Sequence, residues 1–509
     1  MTKKIIFILI DSFMPHIFRE ARQKKMIPTL SSLAARGAFW DNCVSVFPTV
    51  SASIDSSLMC GCYPEEHAVP GLVWYSHEEK RIVNYINGWK AVWRMGLTRC
   101  AEDVLIGLNE QHLNPNTTTI FEELARDSKT CASINMAVHR AEANHRVTKP
   151  GLMRWVLWKL KRSGATGPSV CSMGNFIPSY GRPLPWSFNQ SIFKKYGLND
   201  SFAIDIACRM IKEDRLADFT AIYLSDSDFA YHRNPEKGAA ILAKVDKQIG
   251  RLVNSFGGFE QALQRCRFII TGDHGQTKVK ARKEGTINLE RFFFDKAVAF
   301  TKTVNPDKDD FVICNNERAC YFYPLKDGVL EEIVHRLKKE ERIDLLAWKK
   351  HNGVHVQHGE KSLYFSPAAK GQSKGGGDGN DESGSLKQAI DPYGRKWVLE
   401  GDLSVIDAVL REEGTSPSAL MEYGKYPDIC SRLYGALYAR EGQVIVATAV
   451  PGCEFITKHD AVHRGGACHG SLHTTDSIVP LMITDEEPDA FKNPRLVDLK
   501  TYIINNLSG

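Results

Sequence analysis

The sequence predicts an α/β fold: a mostly parallel central sheet with helices on both faces, plus a cap segment and an inserted smaller α+β lobe. Two observations predict it. Ile5 to Ile10 is a continuous β-favouring run with no polar alternation, the pattern of a strand covered on both faces. Helix-like and strand-like stretches then alternate along the chain, and repeated βα units build parallel sheets.

The elements follow in order. After the first strand, a short helix spans Pro28 to Arg36, with Pro28 near its start, Leu30 and Leu33 on one face and Gly37 as its C-terminal stop. A second strand ends near Phe47. Helix Thr119 to Asp127 then precedes strand Cys131 to Met136, helix Ser201 to Lys212 precedes strand Thr220 to Leu224, and helix Glu236 to Phe256 precedes strand Phe268 to Thr271. The stretch from about 137 to 197, rich in Trp, Pro, Gly and basic residues, reads as a cap rather than another βα unit. From 308 to 442, short strands and one amphipathic helix, Val329 to Lys339, read as an inserted lobe, with a Gly/Ser/Asp-rich flexible loop at 371–385. Residues 1–307 and 443–509 then form the two parts of a catalytic core. Strands Val444 to Thr448 and Ile478 to Ile483, and helix Asp498 to Leu507, are expected to return the chain to the main sheet.

Composition narrows the function classes. The chain has 509 residues, 43% hydrophobic and 25% charged, with a net charge of only +5. That balance gives no strong sign of nucleic-acid binding. Thirteen cysteines, scattered without zinc-ribbon spacing, suit a reducing cytoplasm. The six-residue run after Lys3 and Lys4 is too short for a signal core or a membrane span.

Chemistry collects where strands end, which is where open α/β sheets bind their ligands. Asp11 closes the first strand in IIFILIDSF; on its own it reads more readily as a turn or capping residue. TGDHG repeats the arrangement, placing Asp273 and His274 directly after an apolar strand. A carboxylate and an imidazole together offer two ligands to one cation. In YLSDSDFAYH, Asp228 and His232 lie four apart, so one helical turn brings them to the same side, while Asp226 is a candidate brace for a ligand. GGACHGSLH supplies His469 and His473 among glycines that permit close backbone approach; Cys468 reads as a bystander. The nucleophile is sought in SVFPTVSASIDSSLMCG, where Ser51 or Thr49 precedes a run with helical spacing. A helix start offers free N–H groups to an anion, and a nearby cation lowers the hydroxyl pKa.

Taken in order, strand-Asp11, FPTVSAS, YPEEH, DSDFAYH, GDHG and CHG resemble the alkaline phosphatase superfamily, in its type I phosphodiesterase and nucleotide pyrophosphatase branch. The resemblance implies an alkaline-phosphatase-like core and two divalent metals. One would be held by Asp228, His232 and His469, the other by Asp11, Asp273 and His274. Counting back from Gly61, it places the nucleophile on Ser51, with Thr49 the alternative. It further implies a covalent phosphoryl-Ser51 intermediate, hydrolysed by water activated at the other metal. The family usually employs zinc, and manganese also suits the ligand set. The expected partner is a small phosphorylated substrate, which a nucleotide would satisfy. A phosphate-binding Asn of nucleotide pyrophosphatases has no counterpart around Leu72, so substrate-binding residues stay unassigned. A phosphomonoesterase or phosphonate hydrolase of the same superfamily remains the alternative.

Three other features compete for attention. Trp74, Tyr75 and Trp89 could stack on a base but are more readily core. The basic, Trp-rich stretch 151–164 could rest on a membrane, although a cap helix is the plainer reading. A ligand-binding relative without turnover is the third class. Oligomeric state is not encoded in any of these patterns.

Overall fold

The computed structural model describes residues 3–88, 95–160, 164–181, 187, 190–300, 303–368, 386–412 and 418–508. Eight strands form the main sheet: β1 (Lys4–Ile10), β2 (Gly37–Val44), β3 (Cys131–Ile134), β4 (Val170–Met173), β5 (Ile177–Ser179), β6 (Phe219–Leu224), β7 (Cys266–Gly272) and, late in the chain, Ile478–Thr484. The helices that matter for the site are α1 (Pro15–Gln23), α2 (Pro28–Ala34), α3 (Ser51–Cys60), α4 (Ile120–Arg126), α5 (Asp200–Lys212), α6 (Asp226–Arg233) and α7 (Gly238–Asn254). A second sheet contains β8 (Phe311–Asn316), β9 (Ala319–Pro324) and β10 (Ile445–Ala449); the late main-sheet strand is β11.

The main sheet runs β2-β11-β7-β1-β6-β3-β4-β5. Its centre, β7, β1, β6, β3 and β4, is parallel, and the antiparallel pairs lie outside that block. β1 explains why its sequence lacks alternation. Ile6, Ile8 and Ile10 pack against Leu30 and Leu33 of α2, Ile204 of α5, and Leu242 and Val245 of α7. Ile5, Phe7 and Leu9 face the other way, towards Ile54 and Leu58 of α3 and Phe121 and Leu124 of α4. Both faces therefore exclude water, and a polar residue at any of these positions would be buried without a partner.

Two sequence expectations are corrected. Val444 to Thr448 does not return to the main sheet: as β10 it stands between β9 and Ile343–Lys350 of the second sheet. Its five residues are all buried, so its apolar run is identical in kind to that of a central main-sheet strand. The cap is not wholly irregular either, since β4 extends the parallel block beside β3 and β5 pairs with β4 at the sheet edge. Both strands are too short to show a period. Among the described residues the second sheet has eleven strands, from Val298–Ala299 through Ile445–Ala449, and one apolar cluster runs from Phe7 through Tyr321 to Trp397. The loop at 371–385 and Trp89 lie outside the described residues.

Among the described residues no helix is long and apolar enough to cross a membrane. The thirteen cysteines are free thiols.

Candidate metal centre and nucleophile

Three neighbouring parallel strands carry the first ligand candidates. In the register of the sheet Ile10 sits opposite both Leu224 and Gly272, so the tips of β1, β6 and β7 are level. Asp11 follows β1, Asp273 and His274 follow β7, and β6 leads through Ser225 into α6, whose first two turns carry Asp228 and His232. The Asp11 N–H still donates to Leu224 O, which holds the first residue beyond β1 against β6.

The two predicted triads converge. His274 Nε2 lies 3.6 Å from Asp11 Oδ1 and 3.5 Å from Asp273 Oδ2. On the other side, His232 Nε2 is 3.2 Å and His469 Nε2 is 3.7 Å from Asp228 Oδ1. The halves adjoin: the rings of His274 and His469 stack with centroids 3.7 Å apart, and one ligand atom each from Asp228, His274 and His469 falls within 4.8 Å of the others.

Backbone carbonyls aim the imidazoles. His232 Nδ1 donates to Ala467 O at 2.7 Å, His469 Nδ1 to Thr49 O at 2.6 Å and His274 Nδ1 to Gly275 O at 3.1 Å. A carbonyl only accepts, so each Nδ1 carries a proton and each Nε2 faces the centre, where it offers a lone pair once the imidazole is neutral. Asp273 is held likewise, its Oδ1 accepting from Ser12 N–H and His274 N–H while Oδ2 faces the centre. Asp228 Oδ1 accepts from Ser12 Oγ and from Gln276 Nε2.

Charge in this cluster is uncompensated. Burial, then Asp273 and Asp228, push the Asp11 carboxyl well above its ordinary range. Burial disfavours charge on His232, but Asp228 and Glu317 push its imidazole up to about 10. Asp11 Oδ1 and His274 Nε2 are buried without a hydrogen-bond partner. Buried orphan donors and acceptors are costly, and a dication among them would satisfy both at once. The donor set of carboxylates and neutral imidazoles fits such an ion.

Ser51 is the first residue of α3, and its hydroxyl lies 3.4 Å from Asp273 Oδ2 and 3.4 Å from the Tyr223 hydroxyl. Tyr223 also donates to Asp11 Oδ2. Thr49 is placed differently: it is fully buried, its hydroxyl donating to Ser471 O at 3.1 Å and accepting from Gly470 N–H at 2.8 Å. It ties the His469 loop to the start of α3.

Several candidates take other parts. Asp226 exchanges backbone hydrogen bonds with Asp200, each carboxylate accepting the other's N–H, so it couples the starts of α5 and α6 rather than bracing a ligand. Trp74 and Tyr75 are buried core, and Trp74 packs edge-on against His112. Leu72 N–H and Val73 N–H donate to Asn316 Oδ1, so the segment around Leu72 is spent on fastening a small two-stranded hairpin to the end of β8. His473 caps the short turn that begins at Thr474.

Sequence reasoning missed Glu317. It occupies the turn between β8 and β9 with φ +64°, and its carboxylate lies 3.6 Å from His469 Nε2 and 4.0 Å from His232 Nε2. Burial opposes its ionisation, yet His469, His232 and His463 bring it down to about 2. Behind it, His463 Nδ1 donates to Glu454 Oε2 at 2.8 Å, and the His463 ring stacks on His232. Cys468 is buried within reach of Glu454 and His463, away from the two triads. The hairpin turn is fixed by Arg318, whose fully buried guanidinium pairs with Asp476 at 2.5 Å and whose N–H donates to His469 O. Gly470 is required here: its φ is +122°, and a Cβ would meet Asn316 O at 2.4 Å.

Comparison with known proteins places the fold and the family. Phosphonoacetate hydrolase from Sinorhizobium meliloti, solved with phosphonoformate, is 14% identical and superposes with a TM-score of 0.56, covering 99% of this chain and 96% of its own. The murine ectonucleotide pyrophosphatase / phosphodiesterase 5 is 13% identical with a TM-score of 0.54, over 99% and 95% of the two chains. Its human counterpart gives 13% and 0.52 over the same shares. At these identities the likeness is one of fold, the alkaline-phosphatase-like α/β architecture. No curated protein sequence matches this chain. The sequence profile of type I phosphodiesterases / nucleotide pyrophosphatases matches residues 5–375, and the chain belongs to that family.

Proposed function

We propose that this protein is a metal-dependent phosphodiesterase that acts through a covalent phosphoryl-Ser51 intermediate on a small phosphorylated substrate. The observation that carries the reading is the position of the Ser51 hydroxyl at the start of α3, 3.4 Å from Asp273 Oδ2 and beside a cluster with orphaned ligand atoms. Asp11, Asp273 and His274 would hold one divalent ion; Asp228, His232 and His469 would hold the other, with Glu317 as a further carboxylate donor. Zinc suits the mixed imidazole and carboxylate set, and manganese is compatible with it. When bound, such a pair lowers the hydroxyl pKa and screens the charge on phosphate.

The chain's own residues do the rest. The Ser51 hydroxyl donates to Asp273 Oδ2, which turns the Oγ lone pairs outward. Attack forms the Oγ–P bond and breaks the ester P–O bond, and the Ser51 hydroxyl proton passes through solvent to the leaving alkoxide. The N–H groups of the first turn of α3 face the region where phosphoryl oxygens would gather. Tyr223, whose single O–H donates to Asp11 Oδ2, holds that carboxylate in place beside Ser51. Water then cleaves the Oγ–P bond, restoring the Ser51 hydroxyl and releasing a phosphomonoester. The free thiols support a reducing, cytoplasmic setting. Residues 1–307 and 443–509 serve as the catalytic core on this reading, and 308–442 as a lobe that delivers Glu317.

The test is turnover of bis-p-nitrophenyl phosphate. Ser51→Ala should lower it by more than about a thousandfold, as removal of a covalent nucleophile does, and a chelator should abolish it with the circular dichroism unchanged. Unchanged turnover in Ser51→Ala would overturn the assignment and move it to Thr49.

A further inference from the structure

A cavity of about 360 Å³ opens beside the nucleophile, and Tyr223 joins the two: its ring lines the cavity and its hydroxyl is 3.4 Å from Ser51 Oγ. The wall is almost wholly apolar. Val104 and Leu105 come from the helical segment Asp103–His112, Met153 and Leu157 from the cap turn, and Met173 and Phe176 from the end of β4 and the residues after it.

The polar groups in this wall are mostly committed elsewhere. Asn135 donates its amide to Gly197 O and accepts from Gly174 N–H, and the Tyr85 hydroxyl is bonded to His112 Nδ1 at 2.8 Å. Ser225 lies at the Tyr223 end, towards the metal cluster. Lys195 is the one charged lining residue among those described, and its ammonium lies 5.5 Å from the centre of the Phe229 ring. A nucleobase placed here would lose its hydrogen bonds to water and find few in return, a cost of the kind that excludes polar ligands from apolar sites. A saturated chain gains on entry by the ordinary hydrophobic term.

The approach to the cavity has the same character. The turn that points Met153 and Leu157 inward leaves Leu152, Trp155 and Trp158 at 61%, 77% and 69% exposure. Gly151 packs against Tyr196 next to Lys195, so the two cap segments form one rim.

We propose that this cavity binds an aliphatic chain esterified to the phosphate, which makes the substrate a lipid-like phosphoester rather than a nucleotide. The proposal rests on the catalytic reading above for the position of the phosphate, but its test does not depend on turnover. In the metal-loaded Ser51→Ala protein, calorimetric affinity for alkylphosphonates should rise from methyl to octyl by about fourfold per methylene until the cavity is filled. All members are used as dissolved monomers. Met153→Gln and Leu157→Gln should each flatten the series while leaving methylphosphonate affinity unchanged, with melting curves confirming that the variants fold. In the active protein, kcat/KM for 4-nitrophenyl octyl phosphate should exceed that for the 4-nitrophenyl ester of thymidine 5′-monophosphate.

A flat chain-length series in the unsubstituted cavity, or no binding of any member, overturns the proposal, as does preference for the thymidine ester. Loss of turnover alongside a steep binding series would instead count against the catalytic reading and leave the cavity assignment standing.

Discussion

The two halves of the candidate metal cluster are built in different ways. Asp11, Asp273 and His274 sit one or two residues beyond β1 and β7, and their positions follow from the register of adjacent parallel strands. Across from them, His469 and Glu317 come from a late loop and from the hairpin turn of a different sheet, and no local hydrogen-bond ladder relates them to α6. The first half is a property of strand order. In the second, Asp228 and His232 also follow a main-sheet strand, but His469 and Glu317 depend on how one sheet docks on another, and that docking is secured by a few buried contacts: Arg318 with Asp476, Thr49 with Gly470, and His469 with the Thr49 carbonyl.

That contrast yields predictions that could break it. The largest effect is expected at the docking contact. Arg318→Ala leaves Asp476 buried without its ion-pair partner, and breaking such a pair costs about 3–5 kcal/mol. Urea unfolding should show this loss; a change below about 1 kcal/mol would mean that the two sheets are held without the pair. Next, Glu317→Gln keeps size and removes charge from the hairpin turn. If this carboxylate belongs to the metal environment, affinity measured by competition with a chromophoric chelator should fall by about 10–100-fold. An unchanged affinity would reduce the donated half to His469 alone.

A third prediction concerns α3 itself. Asp55 is buried four residues after Ser51 and accepts N–H bonds from Ala137 and Val138. Burial pushes its carboxyl up to about 7 from an ordinary 3.8. The folded state then binds a proton that the unfolded state has released, so this group makes stability fall as pH rises from about 4 to 7. Asp55→Asn keeps an acceptor for both N–H groups and should remove that slope. Thermal melting of both proteins across this range checks it, and parallel curves would contradict it.

The same contrast explains what was legible in the sequence. β1 announces itself because both of its faces are covered, so no polar residue interrupts Ile5 to Ile10. Asp11, Asp273 and His274 stand out because they stop apolar runs, and Asp228 and His232 because helical spacing relates them. β10 has the same buried, apolar signature as β1, yet it belongs to the other sheet. Local pattern reports burial and says nothing about which partner buries it. Glu317 is harder still: a glutamate in a polar hairpin turn is ordinary, and the left-handed backbone that presents it leaves no compositional trace outside glycine and asparagine. His469 is legible only as a glycine-flanked histidine in the company of three clearer clusters, and the family resemblance then assigns it to a metal. Ser51 opens α3 and Thr49 lies two residues before it, so the sequence alone separates them poorly; in the structure the Thr49 hydroxyl is taken up by the His469 loop.

The central claim is that two cations sit in two adjoining half-sites beside one serine. Metal analysis of the zinc-loaded protein tests it most directly, together with Asp273→Ala from one half and His232→Ala from the other. The account predicts two equivalents of zinc per chain in the unaltered protein and one in each variant. A single equivalent in the unaltered protein, or two retained in either variant, would contradict it.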